Sequence, residues 1–194
     1  MTKIIGLTGG IGSGKTTLAK QIQSLGIPVY IADEEAKKLI DTPEIIKKIQ
    51  NEFGELVFEN NHLNKEKLAE IVFKSPEKLS LLNQIIHPAV QSDFANWLLL
   101  HQKYSIVFKE AAILFESGSY KDCDQIITVV APLESRIERV MKRDGISHDK
   151  VLDRISNQWT DEMKIQKSNF VIDNSTQENA LSQLHVILQK LLIQ

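Results

Sequence analysis

Cysteine is nearly missing from this sequence: Cys123 is the only one in 194 residues. No internal disulfide can form, and a reducing compartment is the natural setting. Long apolar runs are missing as well, and none approaches the ~20 residues that cross a bilayer as a helix. Neither sign of charge is in excess, since 23 Lys and Arg stand against 25 Asp and Glu for a net charge of −2. A nucleic-acid binder would usually be basic, so any phosphate site here has to be a local concentration of Lys and Arg. Repeats, low-complexity tracts and linkers are also absent. What remains, with a hydrophobic share of 42% and a charged share of 25%, is the composition of an ordinary globule. Its length suits one α/β core plus a smaller insertion. With a glycine loop beginning at residue 9, no leader peptide is expected before it. The expectation is a cytoplasmic protein, monomeric by default, with no nucleic-acid or membrane partner.

Glycine is sparse too, with nine in the chain, yet four of them fall in Gly9-Gly10-Ile11-Gly12-Ser13-Gly14-Lys15-Thr16. This stretch matches the phosphate-loop pattern G-x-x-x-x-G-K-[ST] in full. Glycines let successive backbone N–H groups crowd around a triphosphate that side chains would obstruct. Lys15 can reach the β- and γ-phosphates, and the Thr16 hydroxyl can ligate a Mg²⁺ that bridges them. The flanks fit as well. Lys3 to Thr8 reads as a buried strand, and from Thr17 onward the spacing is helical, with Leu18, Ile22 and Leu25 on one side. A helix beginning here points its positive end at bound phosphate. ATP contacts are expected from Gly10, Ile11, Gly12, Ser13, Gly14, Lys15, Thr16 and Thr17. The bland alternative is a glycine-rich turn without ligand, which the complete pattern and its flanks disfavour.

Further along, Gly26 to Ile31 reads as a turn and a second short strand, with Asp33 opening a helix. From Asp41 to Gln102 the pattern is nearly continuous helix without an obvious strand. Pro43-Glu44, Asn64 and Ser75-Pro76-Glu77 mark helix starts, and Pro88 is expected to end or kink the third helix after Ile86. Strand character returns at Ser105 to Phe108, at Gln125 to Val130, and at Phe170 to Asp173. Helices are expected over Pro132 to Arg143, from the Ser147 cap through Gln158, after a Thr160 cap, and over Gln177 to Leu192. Strands alternating with helices predict a five-stranded parallel sheet covered on both faces, with the ligand at the carboxyl ends of the strands.

Several other residues can carry chemistry. Asp33 follows the second strand and could accept the proton of an attacking hydroxyl, or could simply cap its helix. His87 stands at the expected break before Pro88, and Glu110 closes an apolar strand, a place to hold Mg²⁺ through water or to be merely solvated. Arg136, Arg139 and Arg143 fall at i, i+3 and i+7 on one helix face. Given the glycine loop, phosphate contact is the stronger reading for Arg139 and Arg143.

The chain closely resembles the dephospho-coenzyme A kinase family over nearly its whole length. The resemblance rests on Gly6 to Lys15, Ala32-Asp33, His87-Pro88-Ala89-Val90, Leu114-Phe115-Glu116-Ser117-Gly118, Arg139 with Arg143-Asp144, Gln158, and Val171-Ile172-Asp173-Asn174. It implies the P-loop kinase fold, with a nucleotide-binding core over residues 1–32, 103–135 and 168–194. A helical acceptor-binding insertion would occupy 33–102 and a small lid 136–167. It implies transfer of the γ-phosphate of ATP, with Mg²⁺, to the ribose 3′-hydroxyl of dephospho-CoA. It makes Asp33 the base, sets Thr8, Lys37, His87, Phe115 and Glu116 at the acceptor, gives Arg139 and Arg143 to the lid, and sets Asn174 near the ATP base. Three positions depart from the family pattern: Ile31 for a usual Asp, Lys37 for a common Arg, and Ala112 for a common Pro. Lys37 keeps charge but loses the bidentate fork. A kinase of another small acceptor, such as a nucleoside monophosphate, shares the architecture. A GTPase-type switch would need D-x-x-G and N-K-x-D, and the chain has neither.

Overall fold

The computed structural model describes residues 2–193. In chain order the elements are β1 (Lys3–Thr8), α1 (Lys15–Ser24), β2 (Val29–Ile31), α2 (Ala32–Leu39), α3 (Pro43–Phe53), β3 (Phe58–Glu59), β4 (His62–Leu63), α4 (Lys65–Phe73) and α5 (Pro76–Leu100). They continue with β5 (Ile106–Glu110), β6 (Gln125–Val130), α6 (Leu133–Asp144), α7 (His148–Ser156), α8 (Asp161–Ile165), β7 (Phe170–Asp173) and α9 (Gln177–Ile193). The chain forms two compact units. One runs to Ile31 and resumes at Leu98, and the other is Ala32–Trp97.

The first unit is built on a five-stranded sheet in the order β2-β5-β1-β6-β7, parallel throughout. β1 takes the middle because its residues tolerate burial on both faces, Ile5 and Leu7 being buried on one and Gly6 and Thr8 on the other. Helices flank the sheet. α1 contributes Leu18, Ala19 and Ile22, and α9 contributes Ala180, Leu184, Leu188 and Leu191, to one apolar cluster with Ile5, Leu7, Phe108, Ile127 and Ile172. Each of the Leu, Ile and Phe side chains contributes roughly 1.5–3 kcal/mol by leaving water. Leu25 does not join the α1 stripe: the helix stops at Ser24, and Leu25 is 47% exposed at its C-cap. The chain leaves β1 for β2 on one side and leaves its neighbour β6 for β7 on the other, so a crevice opens beyond their carboxyl ends. The glycine loop begins there.

The second unit gathers Ile45, Ile49, Val57, Leu68 and Val72 from α3, α4 and the turn between them, with Leu82, Ile85 and Ile86 of α5 packed against them. Asn64 caps α4 by accepting from the Glu66 and Lys67 amides. Two expectations need correction. This stretch is not helix throughout, because β3 and β4 pair as an antiparallel hairpin. Asn60 and Asn61 turn it at φ 49° and 62°, the left-handed pair that a type I′ turn requires and asparagine tolerates. Of the two outcomes expected of Pro88, an end or a kink, the end does not occur, since α5 runs on to Leu100. Proline withholds one N–H from the ladder, and the apolar residues of this long helix continue past it.

Candidate active site

The β1 strand ends at Thr8, and α1 starts at Lys15 with Gly14 as its N-cap at φ 91°. No acidic residue occupies the first turn of α1, so nothing opposes the positive end of the helix. Between them the loop is held from outside, carbonyl by carbonyl. Arg136 Nε donates to the Ile11 oxygen at 3.0 Å, Arg139 Nη1 to the Gly12 oxygen at 3.3 Å, and Asn174 Nδ2 to the Ser13 oxygen at 2.6 Å. In a planar trans peptide the carbonyl and the following N–H point opposite ways. Carbonyls drawn outward at Ile11 and Ser13 therefore direct the N–H groups of Gly12 and Gly14 away from those side chains. The Ile11 N–H is itself occupied, donating to Gln158 Oε1 at 2.9 Å.

Lys15 is the first residue of α1, and its Nζ lies 3.9 Å from Glu110 Oε1 at the end of β5. Lys15 is buried at this sheet edge, where loop position alone suggests an exposed lysine. Thr16 follows it in the first turn. A recess of about 140 Å³ beside the loop is lined by Gly14, Thr17, Leu18, Arg139, Asn174 and Gln177. Asn174 thus both braces the loop and lines this recess. Arg139 does likewise, since its Nη2 also donates to the Asn174 carbonyl at 3.1 Å.

The three arginines of α6 do different things. Arg136 is buried, and its Nη1 lies 2.9 Å from Asp161 Oδ2. Arg139 reaches the loop, as described. Arg143 is exposed and forks onto Asp144, which Arg154 also meets at 2.7 Å. The hydrogen bond from Arg143, reinforced by Arg154, holds the Asp144 carboxyl below its ordinary range.

After β5, Thr8 Oγ1 lies 3.5 Å from the Ala112 oxygen. Phe115 is buried, its ring stacked on Trp159 with centroids 5.6 Å apart and planes 3° apart. Glu116 Oε1 accepts from the Trp159 N–H at 2.8 Å and lies 3.1 Å from Nζ of the fully buried Lys164. Lys164 also donates to the Ala112 oxygen at 2.8 Å. Phe115 and Glu116 are therefore gripped by the segment joining α7 and α8. Arg136 and Gln158 were visible in sequence only as a stripe member and a motif residue. Trp159, Asp161 and Lys164 carried no signal beyond the Thr160 cap beside them.

Three further candidates, Asp33, Lys37 and His87, lie in the second unit. Asp33 is exposed in the first turn of α2, with Lys37 one turn on, also exposed. The helix already begins at Ala32, so Asp33 lies inside its first turn and is not its cap. His87 is half-buried within α5, and loss of water pushes its imidazole pKa down. Among the described residues no group of three or more His, Cys, Asp or Glu could hold a metal ion. None of the described helices is long and apolar enough to cross a membrane.

A family model described as dephospho-CoA kinase matches residues 3–180. A curated dephospho-CoA kinase of Bacteroides fragilis is 41% identical over 181 residues, covering 93% of this chain and 88% of that one. Among solved structures, a Thermus thermophilus protein superposes with a TM-score of 0.87 at 34% identity, covering 97% of each chain. A dephospho-CoA kinase from Campylobacter jejuni gives a TM-score of 0.70 at 27% identity over 98% of this chain and 97% of that one. With its complete phosphate loop on a parallel sheet and these relatives along almost its whole length, the chain belongs to the dephospho-CoA kinase family.

Proposed function

We propose that the protein transfers the γ-phosphate of ATP to the ribose 3′-hydroxyl of dephospho-CoA, giving ADP and CoA. The observation that carries this reading is the glycine loop with Lys15 at the positive end of α1, in a chain of this family. Phosphoryl transfer leaves little covalent work to the protein, so positioning and charge neutralisation supply most of the acceleration. The loop amides and Lys15 take the β- and γ-phosphates. Arg139, already at the loop, and Arg143, one turn further along α6, neutralise charge as it spreads over the transferred group. The recess lined by Asn174, Thr17 and Gln177 receives the nucleoside end of ATP.

On the acceptor side, Asp33 takes the proton of the ribose hydroxyl, whose pKa lies far above neutral. An exposed carboxylate at the start of α2, two residues beyond the end of β2, suits that task. Unit Ala32–Trp97 supplies the acceptor-binding helices. Within that unit Lys37 and His87 are the polar groups offered to the acceptor, and within the first unit Thr8, Phe115 and Glu116 are. Oxygen donors suit Mg²⁺: the Thr16 hydroxyl and the buried Glu110 carboxylate beside Lys15 would hold it. Bound there, the ion would supply positive charge that offsets the charge of the triphosphate. The test is ADP release that depends on dephospho-CoA. An enzyme that hydrolyses or retains ATP indifferently to that acceptor would refute the assignment.

A further inference from the structure

The Ile11 peptide lies at the centre of the glycine loop, and both of its hydrogen-bonding groups are taken by side chains far away in sequence. Gln158 Oε1 accepts from its N–H at 2.9 Å, and Arg136 Nε donates to its carbonyl at 3.0 Å. We propose that Arg136 and Gln158 are positioning residues for ATP, clamping Ile11 so that the loop holds its phosphate-binding shape before nucleotide arrives. The inference rests on the kinase reading above and concerns its nucleotide half alone.

The loop is built to admit this clamp. A Cβ added at Gly12 would press into the backbone of Arg136, 2.9 Å from its Cα, and one at Gly10 would meet the guanidinium itself. Two glycines of the motif therefore make room for α6 as well as for phosphate. Arg136 is also fixed at its other end. It is 6% exposed and paired with Asp161 at 2.9 Å. Moving to a phosphate would cost it both partners in a buried setting, which is expensive for a charge. That distinguishes it from Arg139, whose guanidinium donates to the Gly12 and Asn174 carbonyls, and from Arg143, which is exposed. Gln158 is held in turn by its neighbour, because the Trp159 N–H is bound by Glu116 and the Trp159 ring by Phe115. The strap 157–161 thus connects the glycine loop to the segment after β5. A loop already in its binding shape spends less of the ATP interaction on ordering itself.

Arg136→Lys keeps the charge beside Asp161 and loses the fork that spans Asp161 and the Ile11 carbonyl. Gln158→Met keeps bulk, releases the Ile11 N–H and disturbs no buried charge. Both should be titrated calorimetrically with Mg–ATP in the absence of acceptor, with thermal melting in parallel and steady-state kinetics after. The expected result is ATP binding weakened roughly 10-fold, as for the loss of one hydrogen bond to a held group. The KM for ATP should rise with it, and the KM for dephospho-CoA should stay put. Unchanged ATP binding in Gln158→Met, or in a folded Arg136→Lys, overturns the proposal. So does a loss confined to kcat, which would make Arg136 a transition-state group. Because the titration needs no acceptor, a wild type that binds ATP but ignores dephospho-CoA would remove the acceptor assignment and leave this inference standing.

Discussion

Lys15 Nζ and Glu110 Oε1 lie 3.9 Å apart, both side chains shielded from water where β1 and β5 end side by side. The lysine that grips phosphate in the proposed reaction is thus oriented by a carboxylate before any nucleotide binds. Lys15→Ala should lower turnover by at least roughly 100-fold, the scale for removing one preorganised charge-stabilising donor. It should also lower the melting temperature, because it leaves a carboxylate in a dry place. Lys15→Ala combined with Glu110→Gln should recover melting temperature and not turnover. Stability and ADP release measured on the same samples check both halves, and normal turnover in a folded Lys15→Ala would contradict the phosphate assignment.

Asp33→Asn keeps shape and removes the proton acceptor. It should lower kcat by roughly 10²- to 10⁴-fold while ATP binding stays as it was. Stopped turnovers with dephospho-CoA at saturation, beside an ATP titration, separate the two. If kcat holds and only melting changes, Asp33 serves its helix and nothing more.

Closure over the triphosphate should register in α6 and α7. Arg136, Arg139 and Gln158 already touch the glycine loop, whereas Arg143 and most of α7 face water. Amide exchange across residues 136–160 should therefore slow when an ATP analogue and dephospho-CoA are bound together, most of all in His148–Ser156. Identical exchange with and without saturating ligands would leave Arg143 a solvated residue.

Burial pushes the Cys123 thiol from 9.0 up to about 12, with Lys109 opposing and Asp122 and Asp124 adding to the rise. The thiolate is thus disfavoured in the folded chain. The unfolded thiol loses its proton first, so stability from this group is whole below pH 9 and fades as pH climbs toward 12. Denaturant midpoints of wild type and Cys123→Ala should diverge in slope over that window, the wild type falling more steeply. Parallel curves would show that the site does not favour the neutral thiol.

Local signals made most of this molecule legible. The glycine loop is contiguous, β-branched runs mark β6 and β7, and the Asn64 and Thr160 caps sit where short polar side chains precede apolar periodicity. The hairpin at Asn60-Asn61 was hidden because strands of two residues are too short to show alternation. Pro88 misled for the opposite reason: a local breaker was overridden by packing along α5. The clamp on Ile11 could not be read at all. Its members meet only through the fold, and nothing about Lys164 or Arg136 as residue types announces that each is buried against a carboxylate.

One competition measures the identity of the acceptor. Purified protein with Mg–ATP should be offered dephospho-CoA, AMP and CMP, each across micromolar to millimolar levels, the ordinary range for KM, with products followed by phosphorus NMR. The expected outcome is turnover with dephospho-CoA, a new monoester phosphorus on the ribose 3′-oxygen, an untouched pyrophosphate, and no product from AMP or CMP. AMP phosphorylated faster than dephospho-CoA would contradict it, leaving the fold and the nucleotide site in place and the acceptor assignment wrong.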